Sequence, residues 1–393
     1  MLKVGGGNIF GQLCSDSNSK STNNYPVVSP PGDSNLDISK LLSYSVYCDH
    51  AVWVTQKGKV RGVGENSGGR IHGSLPKEKL NRWKEFQIID KEGNLFNVNS
   101  AVCGLYYTLY HVQSRNGNGD GKLAYVYYNK NGGIPLFIAN GEGTPVALFG
   151  GYKTSASINS DGSITIINKA VFDSPTASAI IARLPNDEKP VSIACCDRFA
   201  FVLSSSGHIY SSSLLSNGVQ TTKFKEIHST KGIKFAQISG TFDYCLAVSE
   251  DYRVFHCSAG SNRIKSFNEI IELKDKQIKA AYAGYNHSLF QTNEGKLFAC
   301  GNNDYGQLLF KTGPSNEDTV TPTETYISGG ATFCIAGYQL SAIYLIKDPP
   351  LNSPNKKITN VMELSNTSGS NFRNLPENNN DTDNPLSKCC FLM

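Results

Sequence analysis

The chain contains 393 residues, of which 39% are hydrophobic and 18% are charged. Its 37 basic and 33 acidic residues give a formal charge of +4, which excludes a strongly basic nucleic-acid-binding protein and a polyanionic tail protein. The 37 glycines, 19 tyrosines and 19 phenylalanines favour short strands and tight turns over helices. No apolar run approaches the ~18 residues of a membrane-spanning helix, and the N-terminus lacks the apolar stretch of a secretory signal. We therefore expect a soluble, cytoplasmic chain.

The chain has 11 cysteines but no C-x-x-C pair, so their spacing does not predict a metal site. Most of those before the C-terminal tail lie in apolar runs, such as the one around Cys334. We interpret them as small hydrophobic residues of the core. The sequence predicts no metal and no cofactor.

One pattern recurs along the chain: an apolar segment, a tight turn and a second apolar segment. Its copies start 43 to 57 residues apart, which is the period of a repeat protein built from small antiparallel sheets. The equivalent positions are His50, Tyr107, Thr154, Phe199, Tyr244, His287 and Leu340. Because five residue types occupy this position, we expect it to serve packing or a structural hydrogen bond, and not catalysis.

The turn has a regular position in the repeat. Glycine follows eight residues after four of the equivalent positions, as Gly58, Gly162, Gly207 and Gly295. Glycine provides the positive φ that a tight hairpin requires. After Tyr244 the same offset falls on Tyr252. The sequence therefore predicts a β-hairpin in each copy.

A second motif, G-x-N-x-x-G, follows six residues after the turn. It occurs at 301–306, at 64–69 and at 6–11. A dinucleotide-binding fingerprint would instead read G-x-G-x-x-G between a strand and a helix. Asparagine and glycine tolerate left-handed backbone, so we interpret the motif as a structural loop that leaves a strand.

Basic residues and one tryptophan are concentrated between Arg70 and Glu85. A basic loop with an aromatic residue can bind a phosphate or an acidic partner. The alternative is a solvated connection between two sheets. The candidate partner-binding residues are Lys77, Lys79, Arg82, Trp83 and Lys84.

The last copy of the repeat ends at Asp348, where its turn should begin, and Met1 aligns with Lys296, the residue after that turn. One repeat is thus divided between the two termini. Pairing the termini inside one sheet removes exposed strand edges, as a closed ring requires. Residues 1–348 are therefore predicted to form an all-β, seven-bladed β-propeller closed by pairing of the N- and C-terminal strands.

The segment around His287, the hairpin Glu294–Phe298 and the motif at 301–308 resemble the repeat of the regulator of chromosome condensation family. The resemblance extends over about residues 1–348 and implies a propeller that regulates a small GTPase. The founding member of that family is a guanine-nucleotide exchange factor for the GTPase Ran. The resemblance implies no covalent catalysis.

The remaining residues, 349–393, differ in composition. Ten of the forty residues 349–388 are asparagine and few are apolar, which predicts a disordered tether. The chain ends with the C-a-a-X signal Cys390–Met393, in which Met favours farnesylation of Cys390. Cys389 is a candidate for a second, palmitoyl chain. A prenylated tail on such a propeller is similar to that of the retinitis pigmentosa GTPase regulator.

Two functions fit these features. The first is an interaction propeller, tethered to membranes by its lipidated tail, that scaffolds or regulates small GTPase signalling. The second is guanine-nucleotide exchange on a Ran-like or other small GTPase. In either case we expect a monomer that binds a protein partner, does not bind nucleic acid directly and is peripheral on membranes.

Overall fold

The computed structural model is all-β, and the ranges that it describes contain no α-helix and no helix long and apolar enough to cross a membrane. The structure describes residues 2–7, 21–22, 41–46, 49–75, 78–105, 107–115, 121–127, 135–138, 143–168, 179–213, 223–258, 266–310, 318–325, 327, 331–337 and 340–345. The short 3-10 helices in these ranges are Ser67–Gly69, Pro185–Asp187, His228–Thr230 and Ile271–Leu273.

The strands form seven antiparallel sheets, which are the blades of the propeller. The N-terminal strands are β1 (Leu2–Gly7) and β2 (Ser21–Thr22). Blade 1 contains β3 (Leu41–Val46), β4 (His50–Thr55), β5 (Val60–Glu65) and β6 (Lys79–Phe86). Blade 2 contains β7 (Ile88–Ile89), β8 (Leu95–Cys103), β9 (Tyr107–Ser114), β10 (Lys122–Tyr127) and β11 (Leu136–Ile138). Blade 3 contains β12 (Pro145–Gly150), β13 (Thr154–Asn159), β14 (Ile164–Asn168) and β15 (Ile180–Ala182).

The other four blades repeat the same order of strands. Blade 4 contains β16 (Pro190–Cys195), β17 (Phe199–Ser204), β18 (Ile209–Ser213) and β19 (Lys225–Glu226). Blade 5 contains β20 (Phe235–Gly240), β21 (Tyr244–Ser249), β22 (Val254–Ser258) and β23 (Asn268–Glu269). Blade 6 contains β24 (Ile278–Ala283), β25 (His287–Thr292), β26 (Leu297–Gly301) and β27 (Thr319–Glu324). Blade 7 combines β28 (Ala331–Ala336) and β29 (Leu340–Leu345) with β1 and β2.

Pairing between the two termini closes blade 7. Strand β1 pairs with β29 in antiparallel register, with Leu2 opposite Tyr344 and Gly6 opposite Leu340. Its other edge pairs with β2. The predicted seven-bladed propeller with paired terminal strands is therefore confirmed. The predicted tether, residues 349–393, lies outside the described residues.

The hairpin between the second and third strands of a blade turns at the predicted position. Gly58, Gly162, Gly207 and Gly295 have φ values of 70°, 76°, 85° and 81°. Tyr252, at the same position in blade 5, also has a positive φ of 67° although it carries a side chain. The repeat therefore imposes a left-handed residue here even where the sequence has no glycine.

The hydrophobic core lies between neighbouring blades and not within any one of them. One inner strand of each blade lies beside the propeller axis, and these inner strands contact one another from β3 through β8, β12, β16, β20 and β24 to β28. Each face of a blade contributes apolar side chains to the hydrophobic cluster that the blade shares with the neighbouring blade on that side. The described cysteines are buried in these clusters without disulfides, as the sequence predicts: Cys103, Cys195, Cys196, Cys245, Cys257, Cys300 and Cys334.

Candidate interaction surface

Side chains at the equivalent position of the repeat cross to the next blade. The hydroxyl oxygen of Tyr107, in blade 2, lies 3.0 Å from the carbonyl oxygen of Gly151 and 2.8 Å from that of Thr154 in blade 3. Tyr244, in blade 5, lies 2.7 Å from the carbonyl oxygen of Gly284 in blade 6. Because these carbonyls are buried, the tyrosines satisfy groups that would otherwise destabilise the interface between blades.

The histidines at the equivalent position also form a hydrogen bond to the next blade, and their partner is a side-chain hydroxyl. The Nε2 atom of His50 lies 3.0 Å from Thr108 Oγ1 in blade 2, and Nε2 of His287 lies 2.9 Å from Ser341 Oγ in blade 7. Both imidazoles are fully buried. The expectation that this position serves structural hydrogen bonding is confirmed.

The G-x-N-x-x-G motif is a structural loop, as predicted. In blade 6 the Asn303 side chain accepts a hydrogen bond from the Leu308 N–H at 3.0 Å, and in blade 1 Asn66 accepts one from Ile71 at 2.9 Å. The first glycine of the motif is needed because a Cβ on Gly301 would lie 2.3 Å from a backbone oxygen. The loop therefore holds the end of the third strand against the blade.

Blade 1 contains a buried group of charged side chains that the repeat lacks in blade 6. One carboxylate oxygen of Asp49 lies 2.7 Å from His50 Nδ1, and the other oxygen contacts the Arg70 guanidinium. The Arg70 carbonyl accepts a hydrogen bond from Thr108 Oγ1 at 3.0 Å. The side chains of Asp49, His50 and Arg70 are all at least nine-tenths buried. We call these three residues the blade 1 triad.

The triad fixes the charge of its histidine. Burial by itself lowers the pKa of His50, but the adjacent Cys103 and the Asp49 carboxylate outweigh burial and raise that pKa to about 9. His50 is therefore protonated at neutral pH, and Asp49 is shared by two buried cations. Both ring nitrogens of His50 already have partners, so the imidazole is positioned as a structural cation and not as a base.

The equivalent residues of blade 6 are neutral. Asn286 stands where Asp49 stands in blade 1, and Gln307 stands where Arg70 stands. Without a carboxylate beside it, burial lowers the pKa of His287 to about 3. Its Nδ1 atom is buried without a hydrogen-bond partner among the described residues. One position of the repeat thus carries a charged histidine in blade 1 and a neutral one in blade 6.

Four of the five predicted partner-binding residues, Lys79, Arg82, Trp83 and Lys84, lie on the outermost strand of blade 1. The prediction of a loop for this stretch is wrong for residues 79–86, because they form β6. An irregular register between Gly62 and Gly64 of β5 interrupts the pairing of the two strands. Lys79 and Lys84 are exposed on β6, Lys77 is outside the described residues, and only the backbone of Arg82 is described.

Trp83 differs from its basic neighbours because its ring packs on the blade. The ring lies edge-on to Trp53 at a centroid distance of 6.0 Å, and Trp53 is edge-on to Tyr44 at 5.8 Å. The indole Nε1 atom of Trp83 is buried. Among the basic side chains of this set that the structure describes, Lys79 and Lys84 are exposed, and a role for them in partner binding remains a prediction.

Three aromatic rings meet at one end of the central channel. Tyr152, Phe242 and Tyr285 lie in the loops that join the first and second strands of blades 3, 5 and 6. The ring centroids are 4.9 Å apart for Tyr152 and Phe242 and 6.4 Å apart for Tyr152 and Tyr285. Since blades 3 and 6 are not neighbours, these rings can meet only at the axis. We call them the aromatic plug.

Within the described ranges, no group of three or more His, Cys, Asp or Glu side chains could hold a metal ion. The predicted lipidation residues Cys389 and Cys390 lie outside the described part of the chain.

Comparison with known proteins identifies the repeat. Residues 278–307 match the model of the Regulator of chromosome condensation (RCC1) repeat. The chain carries an RCC1 repeat. The resemblance predicted from the sequence is confirmed, and the matched residues extend from the first strand of blade 6 into its G-x-N-x-x-G loop. No curated protein sequence matched the chain.

Solved structures share the fold of this seven-bladed propeller. Prp20p from Saccharomyces cerevisiae, described with its binding properties to Gsp1p and histones, is 15% identical, with a TM-score of 0.66 over 88% of this chain and 92% of that chain. Human WBSCR16 is 16% identical, with a TM-score of 0.68 over 88% of this chain and 100% of that chain. Yeast RCC1 (Prp20) bound to Kap60 is 15% identical, with a TM-score of 0.65 over 88% and 89% of the two chains.

Proposed function

We propose that this RCC1-repeat propeller binds a small GTPase and regulates its signalling while a lipidated tail holds it at a membrane. The observation that carries the GTPase role is the RCC1 repeat at residues 278–307 within a ring whose fold matches Prp20p, a protein that binds Gsp1p. The propeller would act by binding, because its buried polar groups are used to join blades. We propose a monomeric scaffold without a cofactor.

A second function is guanine-nucleotide exchange. The fold similarity to Prp20p over 88% of this chain favours it, together with the exchange activity of the family's founding member. Exchange requires that a propeller face contact the nucleotide-binding region of the GTPase and weaken nucleotide binding. A scaffold needs only the contact. The two functions therefore differ in one measurable quantity, the rate of nucleotide release.

Capture of a small GTPase tests the shared part of the proposal. The purified chain should retain small GTPases that were preloaded with GDP, preloaded with a non-hydrolysable GTP analogue, or stripped of nucleotide, with a clear preference among the three states. The Lys79→Glu/Lys84→Glu variant should reduce capture at least about fivefold, because it reverses two exposed charges on β6.

The matched control is Lys225→Glu/Lys231→Glu, which reverses two exposed lysines near the outer strand of blade 4. This control should capture the GTPase like the unaltered chain, and both variants should melt at the temperature of that chain. If the β6 variant and the control capture equal amounts of GTPase, β6 is not part of the binding surface. If the chain retains no small GTPase in any of the three nucleotide states, the proposed function is overturned.

Release of a fluorescent GDP analogue then separates scaffold from exchange factor. A scaffold leaves the release rate unchanged at saturating propeller, whereas an exchange factor raises it by orders of magnitude. We expect the unchanged rate as the primary outcome. Acceleration that grows with propeller concentration would establish the second function instead.

The proposed membrane anchor depends on both terminal cysteines. One lipid chain gives only marginal, reversible attachment, so stable anchoring needs a second signal. Residues 349–388 carry four basic and four acidic residues, so electrostatic attraction does not provide that signal. A palmitoyl chain on Cys389, beside the prenylated Cys390, would provide it.

Cys390→Ser is therefore expected to be wholly cytosolic, because the later modification follows prenylation. Cys389→Ser should still be prenylated but should exchange rapidly between internal membranes and the cytosol. Cell fractionation, with mass analysis of the C-terminal peptide, measures both results. A C-terminal peptide that retains Phe391–Met393 and carries no lipid would refute the anchor.

A further inference from the structure

Every inner strand of the propeller carries a β-bulge at the same place. In all seven blades the register of the inner strand against the next strand shifts by one residue, four positions before the last residue of the inner strand (β8 in blade 2). The residues passed over by the ladder are Leu42, Asn99, Val146, Val191, Ala236, Lys279 and Thr332. A bulge redirects the side chains beside it and bends the strand. The ring therefore presents a repeated set of redirected residues around its axis.

These bulges lie at the end of the channel opposite the aromatic plug. In blade 4 the hairpin residue Gly207 accepts a hydrogen bond at 2.9 Å from Phe235, which begins the inner strand of blade 5. The bulges thus share the end of the propeller on which the second-to-third-strand hairpins turn. We call this opening the hairpin-side mouth.

Three consecutive blades give the mouth an apolar side. Val146 in blade 3 and Val191 in blade 4 are 49% and 50% exposed, and Ala236 in blade 5 is also exposed. Single exposed aliphatic residues need no explanation, but here they occupy one position of three adjacent repeats. An apolar group of a ligand can bury these exposed side chains at the rim of the mouth.

Lysines provide a basic side next to the apolar one. Lys189 and Lys234 are exposed and each precedes the first residue of the inner strand, in blades 4 and 5, while Lys279 occupies the bulge of blade 6. Among the described residues none of the three forms an ion pair. The acidic residues closest to these lysines in the sequence or by backbone contact are Glu188, whose carboxylate accepts a hydrogen bond from Ser206 at 2.6 Å, the exposed Asp187, and the exposed Glu250, whose N–H donates to the Lys234 carbonyl at 2.9 Å.

We propose that the hairpin-side mouth binds a peptide segment in which an aliphatic side chain neighbours a carboxylate. The aliphatic group would contact Val146, Val191 and Ala236, and the carboxylate would face Lys234 and Lys279. This charge complementarity selects an acidic peptide over a basic or purely apolar one. The mouth is separate from β6, so this site and the proposed GTPase-binding surface can succeed or fail independently.

Selection of random peptides displayed on phage, against the folded full-length chain, provides the probe. Enriched peptides should contain Leu, Ile or Val next to Asp or Glu, and a fluorescein-labelled representative should bind in an anisotropy titration. Val191→Glu should weaken this binding at least about tenfold, because it puts a charge where the aliphatic group of the peptide binds and adds a negative charge to the site of an acidic peptide. Lys279→Glu should weaken it by a similar factor.

Matched controls use residues of the same kind away from the mouth. Ile181 is 43% exposed on the outer strand of blade 3, and Lys225 is exposed on the outer strand of blade 4. Ile181→Glu and Lys225→Glu should bind the peptide like the unaltered chain, and all four variants should melt like it, because each replaced side chain is at least partly exposed.

Three results would overturn the proposal. The first is a selection in which no peptide is enriched, or in which the enriched peptides show no pairing of aliphatic and acidic residues. The second is equal affinity of the labelled peptide for Val191→Glu and Ile181→Glu. The third is a dimer in sedimentation that Val191→Glu alone dissociates, in which case a second copy of the chain, and not a peptide, occupies the mouth.

Discussion

Deletion of residues 1–7 is expected to abolish the single cooperative unfolding transition of the propeller. Strand β1 is the third strand of blade 7 and pairs with β29 on one edge and with β2 on the other. Its removal leaves β29 with an unpaired edge and breaks the link between the two ends of the chain. Native domains are stable by only about 5–15 kcal/mol, so the loss of both ladders removes a large part of that free energy.

Thermal unfolding followed by circular dichroism and by calorimetry measures the effect. The truncated chain should melt at a much lower temperature and over a broader range, because blades freed from the ring unfold separately. A transition as sharp as that of the full chain, at the same temperature, would mean that the terminal pairing does not close the ring.

Substitutions at Lys3, which lies opposite Ile343, provide a backbone-specific control. Lys3→Pro removes an N–H from the middle of β1, and an unmade hydrogen bond inside a sheet costs about 1–3 kcal/mol. Lys3→Ala keeps the N–H and should leave the free energy of unfolding within about 1 kcal/mol. A clear difference between the two variants assigns the effect to strand pairing and not to loss of the lysine charge.

The sequence is sufficient to predict the ring because its signals are repeated. A glycine at one offset in four copies indicates the hairpins, and the division of one copy between Met1 and Asp348 indicates closure. The left-handed backbone of Tyr252 illustrates the strength of this inference, since the position is predicted from the register even where its residue type is unfavourable.

Other features have no comparable sequence signal. Strand β6 is predicted as a loop because its exposed, charged sequence shows no alternation of apolar and polar residues, and its pairing with β5 is irregular. The bulges cannot be predicted from the sequence for a different reason. Residues as different as Val146, Ala236 and Lys279 occupy them, so backbone geometry and not side-chain type defines the position.

The blade 1 triad could have been found in the sequence by comparing copies of the repeat. Asp49 and Arg70 replace Asn286 and Gln307 of blade 6, so two neutral residues change together to an acid and a base. What the sequence does not give is their contact, because the two residues are 21 positions apart and are separated by strands β4 and β5. Only the folded blade places the guanidinium against the carboxylate.

Replacing a single charged residue of the triad is expected to lower the free energy of unfolding much more than replacing Asp49 and Arg70 together. Asp49→Asn leaves Arg70 buried without its carboxylate, and removal of one partner of a buried ion pair costs about 3–5 kcal/mol. Arg70→Gln should cost less, because Asp49 keeps protonated His50 as a partner. The double variant recreates the Asn and Gln of blade 6, and its free energy of unfolding should recover most of the loss.

Urea unfolding of the two single variants and the double variant forms a complete cycle. The interaction free energy between Asp49 and Arg70 should exceed about 1 kcal/mol, as residues in one buried network do. Asn286→Ala and Gln307→Ala in blade 6 form the matched cycle at a neutral site and should show a smaller coupling. Additive effects in blade 1 would show that the two side chains contribute independently, contrary to the triad.

The pH dependence of stability distinguishes the charged histidine from the neutral one. Because the pKa of His50 is raised to about 9, the native protein keeps a proton that the unfolded chain releases above its ordinary pKa of 6.5. The stability from this proton is complete below about pH 6.5 and is lost as the pH rises through about 9, a change on the order of 3 kcal/mol. In the Asp49→Asn/Arg70→Gln variant, His50 loses the carboxylate that helps to raise its pKa but keeps Cys103 beside it and the burial that by itself lowers the pKa. The alkaline decrease in stability should therefore become smaller in that variant. An unchanged alkaline decrease in the double variant would place the titrating group elsewhere in the propeller.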